Sequence, residues 1–252
     1  MHALWSSVRL GAFHLPNRLA LAPMTRGRAN LDGTPQDIVA TYYRQRASFG
    51  LIITEAVNVS VDGQGYFATP GIHEEAQVEA WRAVSDAVRE EGGRIFMQLV
   101  HTGRMGHPEN KVNRARTLAP SAILPGQQIL TPSGIQDIPR PRAMTADDIV
   151  ATIDDFRRAA RNAIEAGMDG VEIDGGNGYL IQQFLAPNAN IRTDIFGGSI
   201  ANRARLAVEV AKAVADEIGP ERTGIRLTPG LEIGGLVEGP DDEPLYAPLV
   251  SR

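Results

Sequence analysis

The chain has 252 residues, no cysteine and a formal net charge of −5, with a sequence pI near 5.6. The missing cysteines exclude disulfides, thiolate chemistry and Cys-based metal sites, and the acidic balance argues against a nucleic-acid partner. The five histidines show no HExxH or similar paired spacing, so no metal site is expected. There is also no basic-then-apolar leader and no long apolar run, which makes a cytoplasmic protein the expectation.

Short apolar runs alternate with helical patterns along the chain. The first strand candidate is 18–22 (RLALA), and Pro23-Met24-Thr25-Arg26 follows it where a dinucleotide-binding fold would place a glycine-rich turn. The second is 51–54 (LIIT), closed by Glu55. A stripe of Val78, Trp81, Val84 and Val88 then predicts a helix ending near Gly92. The third strand, 94–99 (RIFMQL), carries Gln98 and leads to His101. Residues 101–144 hold six prolines and no long helical stripe, an excursion expected to shape a pocket or a lid. Thr145 and Asp148 form a capping-box pattern ahead of Ile149, Ile153, Phe156, Ala160 and Ala163, which predicts a helix stopping at Gly167. The fourth strand, 170–173 (GVEI), runs into Asp174 and Asn177 and a second excursion over 175–198. A helix from Ser199 to Gly219 leads to the fifth strand, 224–227 (GIRL), with Arg226 inside it and Thr228 just beyond.

Each strand is brief and apolar on both faces, as strands buried in a parallel sheet are. Polar residues gather at or beyond every carboxyl end: Thr25, Glu55, Gln98, His101, Asp174, Asn177, Arg226 and Thr228. A barrel brings those ends around one axis, so they can share one site. The expected fold is therefore α/β, the first five strands of a (β/α)8 TIM barrel, as a single domain over 1–252 with the last three βα units absent. Five strands leave two unpaired edges, so a complementing C-terminal polypeptide or fragment is the expected partner.

Arg226 inside an apolar strand is costly unless something anionic or strongly accepting meets it. Gln98 offers a donor and an acceptor, and Thr25 a hydroxyl. Together they suit a flat heterocycle with alternating donors and acceptors, such as a flavin. Singly, each has a plainer reading: Thr25 a turn residue, Gln98 a satisfied core amide, Arg226 an internal ion pair with Glu55.

The stretch VEIDGGNGYLIQQFLAPNANIRTDIFGGSIANRAR over 171–205 resembles the old yellow enzyme family of FMN-dependent NAD(P)H ene-reductases. LAPMTRGRA, LIITEA, FMQLVHTGR and GIRL extend the resemblance over nearly the whole chain. The resemblance implies FMN as cofactor, NAD(P)H as reductant and an activated alkene such as an enone as substrate. It implies that Pro23, Met24, Thr25, Ala56, Gln98 and Arg226 contact the isoalloxazine ring, with Arg226 opposite N1 and O2. Tyr179 aligns with the phenol that gives a proton to the substrate α-carbon.

Two departures bear on the substrate. Asp174 stands where the family has the histidine of a His-x-x-Asn or His-x-x-His pair that donates to the enone oxygen, leaving Asn177 as the unambiguous donor. Loss of one such donor costs on the order of 3 kcal/mol in barrier, and an ionised Asp174 would repel the developing enolate unless burial keeps it protonated. Val100 stands where many relatives have Trp, which is expected to enlarge the substrate pocket. LEIGG over 231–235 also departs from the family pattern. Two rival functions follow: a non-redox isomerase or lyase using Asp174 as base, and an inactive half-barrel that only associates with its complement.

Overall fold

The computed structural model describes residues 3–239 and 242–250. An antiparallel hairpin of β1 (Val8–Leu10) and β2 (Phe13–Leu15) opens the chain. Then come β3 (Ala20–Leu21), α1 (Ile38–Arg44), β4 (Leu51–Asn58), α2 (Glu75–Glu90) and β5 (Ile95–Val100). The long excursion holds β6 (Leu118–Ala119), β7 (Gln128–Thr131), β8 (Gly134–Asp137) and β9 (Arg142–Ala143). After it come α3 (Ala146–Glu165), β10 (Gly170–Asp174), α4 (Leu180–Leu185), α5 (Ile200–Ile218), β11 (Thr223–Arg226) and α6 (Asp242–Val250).

The central sheet has five strands in the order β3-β4-β5-β10-β11, every pair parallel. Strands adjacent in sequence are adjacent in space throughout, with no reversal of the kind that makes a doubly wound sheet. That order is the barrel order, and the sheet is the first five strands of a TIM barrel. Burial fades toward its edges: every residue of β5 is buried, whereas β11 is half-buried throughout and β3 is exposed or half-buried. The β1–β2 hairpin packs at the amino ends of β4 and β5, where Leu15, Leu51 and Phe96 cluster and Phe13 meets Phe96 edge-on.

The helices follow their apolar stripes. Val78, Trp81, Val84 and Val88 of α2 and Ile149, Phe156, Ala160 and Ala163 of α3 are buried in one core with Val171 and Ile173 of the sheet. The capping box at Thr145 and Asp148 is present, and Arg142 beside Asp148 holds that carboxyl well below the usual range. A second box, Glu74 with Gln77, starts α2 without the Ser or Thr that would advertise it.

Strand lengths depart from expectation at the β3 end of the sheet. β3 keeps two residues of the expected five because it pairs only with β4 over Ala20 and Leu21. β4 runs to Asn58 because a bulge between Ile53 and Ala56 lets pairing with β5 resume. The excursion is ordered rather than bland loop: β6 pairs with β9, β7 and β8 form a hairpin, and Leu118 and Ile129 are buried.

Candidate active site

The carboxyl ends of the five strands converge on one cavity of about 280 Å³. Pro23 and Thr25 follow β3, Ala56 lies in β4, Gln98 in β5, Asp174 closes β10 and Arg226 closes β11, and all six line it. Asn177 and Tyr179 reach the same cavity from the turn after β10. The β4 bulge matters here. Thr54 Oγ1 accepts from Gln98 N at 3.0 Å and donates to Glu55 O, and Ala56 is handed to the cavity as pairing resumes.

Gln98 Nε2 donates to Glu172 Oε1 at 2.8 Å, which fixes the amide beside the cavity it lines. The Glu172 carboxyl is pushed up by burial, and Gln98 and the Arg226 charge pull it back. Arg226 does not pair with Glu55, as one sequence reading had it. Glu55 accepts from the Arg26 backbone N–H at 2.9 Å, and the fields that reach Arg226 are those of Glu172 and Asp174 on the neighbouring strand. Its guanidinium makes no hydrogen bond among the described residues, so its donors are available to a ligand.

The turn 174–179 is shaped by glycine. A Cβ at Gly176 would stand 2.4 Å from Thr228 Oγ1, so only glycine lets the turn pass the loop beyond β11. Asn177 takes a left-handed φ of 55°, tolerated by Asn, and its N–H donates to Thr228 Oγ1 at 3.1 Å. Its side-chain Nδ2 donates to both Asp174 oxygens, at 3.0 and 3.1 Å. Asn177 is therefore engaged by Asp174 and is not the uncommitted donor the sequence suggests. Burial pushes Asp174 up to about 6, against the opposing pull of Asn177, the Gly176 N–H and Arg226.

Tyr179 caps α4, and its ring meets Tyr66 edge-on at 6.1 Å between centroids. Burial, then the nearby Tyr66, push its phenol far above the ordinary range, so it stays protonated.

Two expected site residues lie outside the cavity lining. Met24 is 45% exposed on the turn after β3. Val100 is 2% exposed and held in the sheet, its carbonyl accepting from Val59 N, and it does not line this cavity. Tyr66, Met105, Ile233 and Gly234 complete the wall and were not foreseen. Tyr66 had a usable signal, an aromatic in a glycine-rich loop at a strand's carboxyl end. Ile233 and Gly234 had none, because a loop carried back by buried contacts has no local periodicity.

The family of NADH:flavin oxidoreductases / NADH oxidases matches residues 3–236. The chain belongs to this family, that of the old yellow enzymes. It is 45% identical over 227 residues to 12-oxophytodienoate reductase 1 of Oryza sativa subsp. japonica, covering 90% of this chain and 58% of that protein. Chanoclavine-I aldehyde reductase of Penicillium roqueforti is 42% identical over 241 residues, 94% of this chain and 63% of that one. The solved old yellow enzyme homologue of Zymomonas mobilis superposes with a TM-score of 0.95 at 43% identity, over 99% of this chain and 70% of its own. The chain thus spans a little under two thirds of these curated relatives.

Proposed function

We propose that this old yellow enzyme chain forms the ring-binding and proton-donating part of an FMN-dependent oxidoreductase that reduces activated C=C bonds with NAD(P)H. The observation that carries it is one cavity bringing Thr25, Gln98 and Arg226 together with Asp174, Asn177 and Tyr179. The donor set fits a flavin ring: a hydroxyl, an amide and a cation that makes no hydrogen bond among the described residues, beside Pro23 and Ala56. Met24, on the exposed turn after β3, would be a further residue holding the ring. Bound FMN would supply hydride transfer between the nicotinamide and the alkene.

The rest is the work of the chain. Arg226 would stabilise negative charge on the ring edge it faces. Tyr179, buried and protonated, would give its proton to the substrate carbon by proximity rather than acidity. Asp174, neutral below about pH 6, would then donate to a carbonyl oxygen. A small carbonyl-conjugated alkene is the substrate class that uses both groups. Polypeptide carrying further strands, contiguous with this chain or separate, would cover the open edges of β3 and β11. The need for reduced nicotinamide suits a cytoplasmic setting.

The test is anaerobic. With FMN and NADPH or NADH, flavin absorbance at its visible maximum should bleach, and 2-cyclohexenone should restore it with one product equivalent. Bleaching without reoxidation by any enone would reject ene reduction while keeping the flavin.

The raised Asp174 favours one second reading, a base for isomerisation or elimination. That chemistry needs no nicotinamide, so enone turnover in its complete absence would select it.

A further inference from the structure

Asp174 ends β10 at 2% exposure and lines the candidate active-site cavity with Asn177, Tyr179 and Arg226. An ionised carboxyl group only accepts, at about four lone-pair positions on its two oxygens. Oδ1 accepts from Gly176 N at 3.2 Å and from Asn177 Nδ2 at 3.0 Å, and Oδ2 accepts from Asn177 Nδ2 at 3.1 Å. Among the described residues, Oδ2 thus keeps one position for a further donor. A buried anion is best met there by a donor that is itself charged.

The charges around Asp174 favour a cation. From β11, its register partner Arg226 acts on it through its field. Glu172, on β10 itself, feels the same guanidinium and the Asp174 charge. Tyr179, from the turn before α4, stays protonated, with the Tyr66 ring from the loop after β4 beside it. Two carboxyl groups therefore stand against one guanidinium, and of the two it is Asp174 that lines the cavity. The bonds from Asn177 and Gly176 favour its ionised form, against burial.

We propose that ionised Asp174 turns this cavity toward conjugated iminium ions, alkenes joined to a C=N–H⁺ group, and leaves neutral carbonyl-conjugated alkenes to its protonated form. This selectivity rests on the ene reduction proposed above. The iminium N–H donates to Oδ2, and its positive charge, spread over C=C–C=N, makes the β-carbon a good hydride acceptor. A hydride drawn from NAD(P)H joins that carbon. The C=C pair then links the α-carbon to the former C=N carbon, and the C=N pair settles on nitrogen, which gives a neutral enamine. No negative charge develops beside Asp174, as it would with an enolate.

The enamine takes the Tyr179 proton at its α-carbon and C=N–H⁺ is restored, while solvent returns a proton to the phenol. The nicotinamide loses two electrons and the alkene gains them.

Binding is read first, by titration calorimetry on the whole chain without flavin. The probes are benzamidine, a flat cation rich in N–H donors, and benzamide, its neutral counterpart of nearly the same shape. At pH 7.5 the cation should bind about ten-fold more tightly or better. The preference should vanish in Asp174→Asn. It should also vanish at pH 5, where Asp174, raised to about 6, is largely protonated while benzamidine keeps its charge. Should Asp174→Asn fail to fold, the pH comparison decides. Failure of the cation to bind, equal affinities at pH 7.5, or a preference indifferent to pH and variant overturns the proposal.

Reduction is read second, at pH 7.5 with saturating FMN, NADPH and trans-cinnamaldehyde, with and without methylamine to convert the aldehyde to its imine. After subtraction of the protein-free rate, methylamine should speed formation of the saturated product about ten-fold or more. Equal rates overturn iminium selection and leave ene reduction intact. Cation binding with reduction of neither form overturns ene reduction and leaves Asp174 as a cation site.

Discussion

At the scale of single residues, Asp174 and Tyr179 carry the sharpest consequences. An unfolded aspartate titrates near ~3.9, and burial raises Asp174 to about 6 in the folded chain. The native state then holds this proton more tightly than the unfolded state does. The stability it contributes is fully present below the unfolded value and is lost as pH rises through the folded one. Across that window the loss should reach ~2–3 kcal/mol. Asp174→Asn removes the titrating group, so the stability of the wild type relative to this variant should fall from pH 4 to pH 6. Urea midpoints measured in that range check it, and a constant difference would return Asp174 to an ordinary pKa. Tyr179→Phe deletes only the phenolic proton, so alkene reduction should slow by about 10²-fold or more while flavin reduction by NAD(P)H is nearly unchanged. Equal slowing of both half-reactions, followed by stopped-flow absorbance, would assign Tyr179 to ring binding instead.

Among the elements, the loop beyond β11 depends on partners far away in sequence. Arg104 is 2% exposed, and its Nη2 donates to the carbonyls of Gly234 and Gly235 at 3.0 and 3.3 Å. Gln182 accepts from Gly178 N and donates to Glu238, whose other oxygen accepts from Gly230 N. The turn that presents Tyr179 and the loop that presents Ile233 are thus tied through one buried amide. Arg104→Met should leave the two glycine carbonyls short of a donor and cost about 1–3 kcal/mol. Thermal unfolding reads the cost, and faster amide exchange confined to 228–238 locates it. Uniformly faster exchange over the whole chain would mean that Arg104 supports the core rather than this loop.

For the molecule as a whole, the open sheet sets the expectation. Among the described residues β11 and β3 each lack a neighbour on one side, and both are less buried than β5. Such edges are pairing sites for further strands. The 252-residue chain alone should therefore exchange its β11 amides quickly, bind a hydrophobic dye and hold FMN weakly. Adding polypeptide with the remaining strands of a relative should slow that exchange, reduce dye binding and tighten FMN, because closure removes the edges. Protected β11 amides and stoichiometric FMN binding by the monomeric chain alone would refute the open-edge account.

How much of this was legible without coordinates follows from what each feature depends on. Alternating short apolar runs and amphipathic stripes determined the five strands of the central sheet and the helices α2, α3 and α5, because burial against a layer imposes a period that a sequence must show. The cap of α3 was equally plain, since Thr145 supplies the missing acceptor locally. The residues at the strand ends, from Thr25 to Arg226, could be named in advance because a barrel sends every carboxyl end to one place. Only tertiary structure decided the rest. It turned the Asn177 amide onto Asp174, separated Arg226 from Glu55, kept Val100 in the sheet, and brought Tyr66, Met105 and Ile233 into the wall. Each of these is a contact between segments distant in the chain, where geometry and desolvation choose the partner and no local pattern records the choice.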